Sequence, residues 1–173
     1  MARADVQETR HTRIRALYGA HRDAIARQIS VLTRDADATD DLVNETFIRA
    51  YEALEGFRGA SSERTWLHGI ALNVARNHRA KRRRRAAARL PEPENTLATP
   101  EDVLREQRAL ARFHDALDGL PDNLREVFVL RYVQQLPLKD VARLLSLATS
   151  TAHARASRAE SMLRASVEGS GTP

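Results

Sequence analysis

The 173-residue chain contains no cysteine, which excludes disulfides and thiolate metal sites. Its six histidines, at positions 11, 21, 68, 78, 114 and 153, share no metal-ligand spacing, so no metal is expected. Glycine and proline are scarce, at seven and six, and they assemble no phosphate-binding glycine loop. No nucleophile stands in a recognisable pattern with a base. These absences argue against an enzyme, a cofactor or a small-molecule substrate. Aromatic residues reach only 5%, too few for a rich β-sandwich. No apolar run approaches the roughly 20 residues that cross a bilayer, and the first ten residues are polar with no apolar signal core. A cytoplasmic protein without membrane insertion is expected.

What remains is a helix-forming composition. Alanine, leucine and arginine dominate, and 42% of residues are apolar, enough for small buried cores. The net charge of +5 is unevenly spread: residues 1–100 carry 18 Lys+Arg against 13 Asp+Glu, whereas residues 101–173 carry 10 of each. The excess culminates in Lys81-Arg82-Arg83-Arg84-Arg85, a block that reads as a polyanion contact or a solvated helix end.

Periodicity divides the chain into two helical blocks. In the first, over about 9–85, Ile14, Leu17, Tyr18, Ile25, Ile29 and Leu32 recur at helical spacing. A turn is expected over Thr33–Asp37, then a second helix capped by Thr39 or Asp40 with apolar Leu42, Val43, Phe47, Ala50, Tyr51 and Leu54. Gly56–Ser62 reads as a loop, and a third helix from about Glu63 buries Trp66, Leu67, Ile70, Val74 and Ala71. Residues 86–100 carry Pro91, Pro93 and Pro100 and form a linker, so the blocks are expected to move relative to each other. The second block, 101–168, predicts helices over 101–119, 122–134, 138–145 and 149–165. The short tail after Leu163 ends in Gly, Ser and Pro, and no further regulatory domain is expected there. The fold class is thus all-α, two small helical domains joined by a flexible linker.

The sharpest local signal lies over 138–163. Leu138, Val141, Ala142 and Leu145 share a face, Ser146-Leu147-Ala148 makes a turn, and Ala152, Ala156, Ala159, Met162 and Leu163 line the next helix. A small residue such as Ala142 permits the close crossing of a helix-turn-helix, whose second helix would offer Ser150, Thr151, His153, Arg155 and Arg158 to DNA. Spacing alone is equally that of an αα-hairpin.

Taken in order, several stretches resemble the extracytoplasmic-function (group 4) sigma factors of the sigma-70 family. They are Asp40-Asp41-Leu42-Val43-Asn44-Glu45-Thr46-Phe47-Ile48-Arg49-Ala50-Tyr51, then Phe57-Arg58-Gly59, then Arg64-Thr65-Trp66-Leu67-His68-Gly69-Ile70-Ala71-Leu72-Asn73 with its basic continuation. Leu120-Pro121-Asp122-Asn123-Leu124-Arg125-Glu126-Val127-Phe128-Val129-Leu130-Arg131-Tyr132 and the helix-turn-helix complete the likeness. The resemblance implies region 2 over 9–85 and region 4 over 101–168, with a linker threading the polymerase near the RNA path. It implies that Asp41, Asn44, Glu45, Ile48 and Arg49 dock on core RNA polymerase, on its β′ subunit with β nearby. Ser61, Ser62, Asn73, Arg76, Asn77, Arg79, Lys81, Arg82 and Arg83 would open and read the −10 element, which needs edge-reading amides and cations along a strand. Ser150, Thr151, His153, Arg155 and Arg158 would meet the −35 element, Arg155 with the bidentate geometry suited to guanine. An anti-sigma factor is the implied regulator.

The sequence departs from the family at Glu63, at Asn44 for a usual glutamine, at Ser146 for a turn glycine, and at His153 and Ala154. Two rival readings leave part of the pattern without a role. A dimeric helix-turn-helix repressor does not use 40–85, and a sigma mimic has no need of the basic helix.

Overall fold

The computed structural model describes residues 2–87 and 112–169. Its elements are α1 (Ala2–Thr33), α2 (Ala36–Ala53, closed by a 3-10 turn at Leu54–Gly56), α3 (Glu63–Ala87), α4 (112–118), α5 (Asp122–Phe128, continuing as a π turn over Val129–Val133), α6 (Leu138–Leu144) and α7 (Thr149–Gly169). No strand occurs among the described residues. Most of the expected linker over 86–100, and the start of the helix expected over 101–119, lie outside the described residues.

The expected turn after Leu32 is tighter than the sequence suggested. Thr33 Oγ1 returns its proton to the Ile29 carbonyl (2.8 Å), and Arg34 takes a left-handed conformation (φ 49°) with its N–H on Ser30 O (2.9 Å). The cap of α2 is Asp35, one turn before the expected Thr39 or Asp40. Its carboxylate accepts the Ala38 N–H (3.1 Å), satisfying a first-turn donor, while Thr39 lies inside the helix and donates to Asp35 O (2.8 Å).

The apolar stripes of α1, α2 and α3 meet in one cluster that includes Leu17, Ile25, Ile29, Val43, Phe47, Ala50, Leu67 and Val74. A second cluster, Leu117, Leu120, Leu124, Ala159 and Leu163, joins α4, α5 and α7. Arg125 pins this second cluster: its guanidinium is nearly buried and donates to the carbonyls of Leu117, Asp118 and Leu120 (2.7, 2.7 and 2.8 Å), capping the end of α4.

A third cluster belongs to both blocks. Leu32, Leu72 and Ala75 of the first pack with Val127, Val129, Leu130, Leu136, Val141 and Ala156 of the second. Burying a side chain such as Leu130 contributes about 1.5–3 kcal/mol, so the shared cluster is an energetic contact. In this arrangement the two blocks pack against each other.

Candidate nucleic-acid interface and protein-docking face

The helix-turn-helix is built by a Schellman closure of α6. Leu147 N–H bonds Ala142 O (2.8 Å), Ser146 N–H bonds Arg143 O (3.1 Å), and Ser146 carries φ 54°. Ala142, Ala152 and Ala156 are buried where the two helices approach. The outer face of α7 then presents Ser150, Thr151, His153 and Arg158 to solvent, with Arg155 half-buried beside them. None of these five side chains bonds another described residue.

The expected −10 set is divided. Ser62 caps α3: its hydroxyl accepts the Thr65 N–H (3.0 Å) and donates to Thr65 Oγ1 (2.9 Å), so it is engaged structurally, and Ser61 Oγ bonds Ser62 O (3.2 Å). Along α3, Asn73, Asn77 and Lys81 are exposed on one side. Arg76, Arg79 and Arg83 lie on another, at the helical spacing of Thr65, Gly69 and Leu72, and this side meets the second block. Arg76 Nε donates to Glu126 (2.7 Å), Arg79 pairs with Asp122, and Arg83 reaches the same carboxylate (3.2 Å). Burial would raise the Asp122 carboxyl, but the hydrogen bond from Arg79 and the charges of Arg79, Arg125 and Arg83 hold it below the usual carboxylate range. Arg82 reaches back to Thr33 O (3.4 Å). Arg34, Arg79, Arg82, Arg83 and Arg125 converge on a cavity of about 370 Å³ at the seam.

On α2 the expected docking residues form a solvent-facing surface. Asp41 and Asn44 are exposed, Ile48 is 60% exposed, and Glu45 and Arg49 pair with each other (2.6 Å). Beside them runs an apolar groove of about 610 Å³ lined by Ile14, Tyr18, Asn44, Phe47, Ile48 and Tyr51. Tyr51, read from the sequence as part of the apolar face, is only half-buried and lines this groove. Its ring stacks on His11 (5.2 Å) under the Arg10 guanidinium (4.5 Å). Trp66, by contrast, packs against the first core and Phe57 (4.9 Å).

Sequence reasoning missed a buried polar pair. Gln28 and His68 are fully buried and clasp each other: Gln28 Nε2 donates to His68 O (3.0 Å), and His68 Nδ1–H meets Gln28 Oε1. That assignment leaves the ring neutral, with Nε2 unpartnered among the described residues. Burial, with Arg64 and His21 nearby, lowers its pKa from 6.5 to about 4.

The sigma-70 region 2 family model matches residues 17–85, and the sigma-70 region 4 model matches residues 110–163. Curated relatives include the RNA polymerase sigma-H factor of Pseudomonas aeruginosa, 34% identical over 72% of this chain and 70% of the relative. Another is the ECF RNA polymerase sigma-E factor of Haemophilus influenzae, 30% identical over 80% of each chain. The chain belongs to the extracytoplasmic-function sigma factors of the sigma-70 family. It is therefore a promoter-directing transcription initiation factor and not an enzyme. Among solved structures, CnrH in complex with the cytosolic domain of CnrY superposes with TM-score 0.70 at 27% identity, over 90% of this chain and 88% of that one. The sigma factor RpoE of Bartonella quintana, in complex with the anti-sigma factor NepR, shares the fold: TM-score 0.72 at 22% identity, over 89% and 96% of the two chains. No helix among the described residues is long and apolar enough to cross a membrane.

Proposed function

We propose that this sigma factor docks on core RNA polymerase through the α2 face and its groove, contacts the −10 element through α3, and contacts the −35 element through α7. The observation that carries the reading is Ile48. A β-branched aliphatic side chain left 60% exposed beside an apolar groove, with polar Asp41, Asn44 and the Glu45–Arg49 pair at the rim, has the make-up of a protein interface. On α3, exposed Asn73 and Asn77 carry amides that both donate and accept, suited to the edge of an unstacked base, and Lys81 adds a cation for the strand. On α7, Arg155 would meet a base edge and exposed Arg158 a phosphate. Likeness over most of the chain to CnrH, solved in complex with the cytosolic domain of CnrY, supports a protein partner that docks on this chain, the role expected of an anti-sigma factor.

The test is transcription in vitro with purified core polymerase, this protein and a genomic DNA library, with transcript starts sequenced. New starts sharing two spaced upstream motifs are expected. Ile48→Asp should weaken core binding at least about tenfold, because a charge is desolvated at the interface centre, while leaving the melting temperature unchanged. Unaltered core binding by that variant would remove α2 from the interface. Asn77→Ala should leave closed-complex binding intact and reduce permanganate reactivity of the −10 region.

A further inference from the structure

The loop between α2 and α3 does not hold its own shape. From Arg58 to Ser61 no backbone N–H bonds a backbone carbonyl among the described residues. Gly59 sits at φ 72°, and a Cβ built there would meet nothing within 4 Å. The ends of the loop are fixed instead, and one helix fixes both. Arg10 and Arg13 of α1 are three residues apart and share a face. Arg10 reaches the near end: it donates to Glu55 (2.7 Å) and to Tyr51 O in the last turn of α2 (2.7 Å), with its guanidinium over the Tyr51 ring. Its side chain is only 19% exposed. Arg13 reaches the far end. Its Nε donates to Glu63 Oε1 (2.6 Å), a second guanidinium nitrogen closes on the same oxygen, and its centre lies 5.7 Å from the Phe57 ring. Phe57 in turn packs on Trp66 of α3 (4.9 Å). A further tether, from Arg143 of α6 to Ala60 O (2.8 Å), comes from the second block. Glu63 is also a position where the sequence departs from its family, and its carboxylate is taken up by Arg13.

We infer that Arg13, with Arg10 beside it, is a positioning residue for −10 recognition: through Glu63 it sets the conformation in which the loop presents Ser61 to the promoter. The inference rests on the reading of this loop and α3 as the −10 contact. Its physical basis is pre-organisation. A short loop without backbone hydrogen bonds of its own samples several conformations, and apparent affinity for a base falls with the fraction that is set correctly. Tying Glu63, the first residue of α3, to a neighbouring helix removes part of that freedom. The tie is an exposed ion pair with an aromatic face beside it, so its effect is a few fold at most. That is the scale of a preference among bases, not of folding. The fold has its own use for Glu63, since a negative charge in the first turn of α3 suits the helix dipole without Arg13. What Arg13 adds is the position of the loop end.

The test uses the full chain with core polymerase and a promoter found from its transcript starts, with the −10 bases randomised. Transcript ratios give the preference among bases at each position. Arg13→Glu sets two carboxylates against each other, and Arg13→Glu with Glu63→Arg rebuilds the pair in the reversed sense. Ser61→Phe changes the loop itself and shows whether the loop reads the −10 element at all. Arg13→Glu should lower discrimination at the loop-read position about threefold, within the range of an exposed pair. Glu63→Gln, which keeps the side chain's shape, should give a smaller loss in the same direction. The reversed pair should recover most of the discrimination even though Glu63→Arg places a cation at the start of α3 and lowers the melting temperature. A purely structural role would move both quantities together. Core binding should not change in these variants, because neither residue lines the α2 groove. If Ser61→Phe alters the preference and Arg13→Glu does not, the loop reads the promoter without α1 and the inference is overturned. A reversed pair that stays helical by circular dichroism yet recovers nothing overturns it as well. If Ser61→Phe leaves the preference as it was, the −10 reading of the loop fails first, and the inference with it.

Discussion

Two helices of this sigma factor, α3 and α7, carry the residues assigned to DNA, and the structure treats them differently. On the proposed reading face of α7, Ser150, Thr151, His153, Arg155 and Arg158 bond no other described residue. The basic face of α3 is split between an exposed side with Asn73, Asn77 and Lys81 and a side whose Arg76, Arg79 and Arg83 are occupied by Asp122 and Glu126. Residue type alone does not separate the two cases, because an arginine file suits a row of carboxylates as well as a row of phosphates. Position decides: α3 lies against the second block, and α7 shows its polar face outward.

Each helix also depends on one buried polar group, and removing that group separates the two scaffolds most sharply. Arg125 satisfies three carbonyls at the base of region 4. Arg125→Met should cost about 3 kcal/mol or more, since those carbonyls lose their donor inside a nearly buried site. Urea unfolding followed by hydrogen exchange should show α7 losing protection while α2 keeps it; equal loss in both would mean that the two blocks unfold as one unit. On the α3 side the group is His68. Its ring stays neutral in the fold to about pH 4, whereas in the unfolded chain it takes a proton near 6.5, so the unfolded state binds more protons across that window. Stability should therefore fall as pH drops from 6.5 to 4, by up to about 3 kcal/mol from this one group. A His68→Gln variant should flatten that segment of the pH profile, measured by urea titration against wild type.

A smaller effect tests the comparison at the DNA itself. If Arg158 on α7 contacts a phosphate as proposed, Arg158→Ala should weaken promoter binding and lower the salt slope by about one unit. Arg76→Ala on α3 should do two opposing things, removing a cation from the strand and removing the need to break its pair with Glu126. Its net loss of affinity should be the smaller of the two, and filter binding of both variants across a salt series would show which order holds.

Much of this architecture was legible. The apolar sets of α2 and α7, the loop before α3 and the helix-turn-helix all follow from side-chain period and turn residues, which are local properties. The exposure of the α2 face proposed for docking was legible for the same reason, as the complement of the buried one. Asp35 as a cap escaped because Thr39 and Asp40 carry equally suitable side chains a few residues on. The Gln28–His68 clasp spans 40 residues and the Arg76–Glu126 pair spans 50, so no local pattern announces either. The packing of region 4 on region 2 was lost for the same reason. Leu72 and Ala75 read as ordinary helix residues until Leu130 and Val141 arrive against them.

The turn of the helix-turn-helix offers the finest distinction between the two helices proposed to contact DNA, because α7 follows a residue held at positive φ, Ser146. Ser146 holds φ 54° where the resemblance leads one to expect glycine, and a residue with a Cβ occupies that region at a cost of about 1–2 kcal/mol. Glycine would remove the steric penalty but would also make the unfolded chain freer, which offsets part of the gain. Ser146→Gly should therefore stabilise region 4 by about 1 kcal/mol or less, seen as a small rise in melting temperature. Because the Schellman hydrogen bonds of Leu147 and Ser146 use only backbone groups, the aim of α7 should be preserved and −35 affinity unchanged. A gain in stability accompanied by a change in −35 preference would instead mean that the serine itself tilts the reading helix.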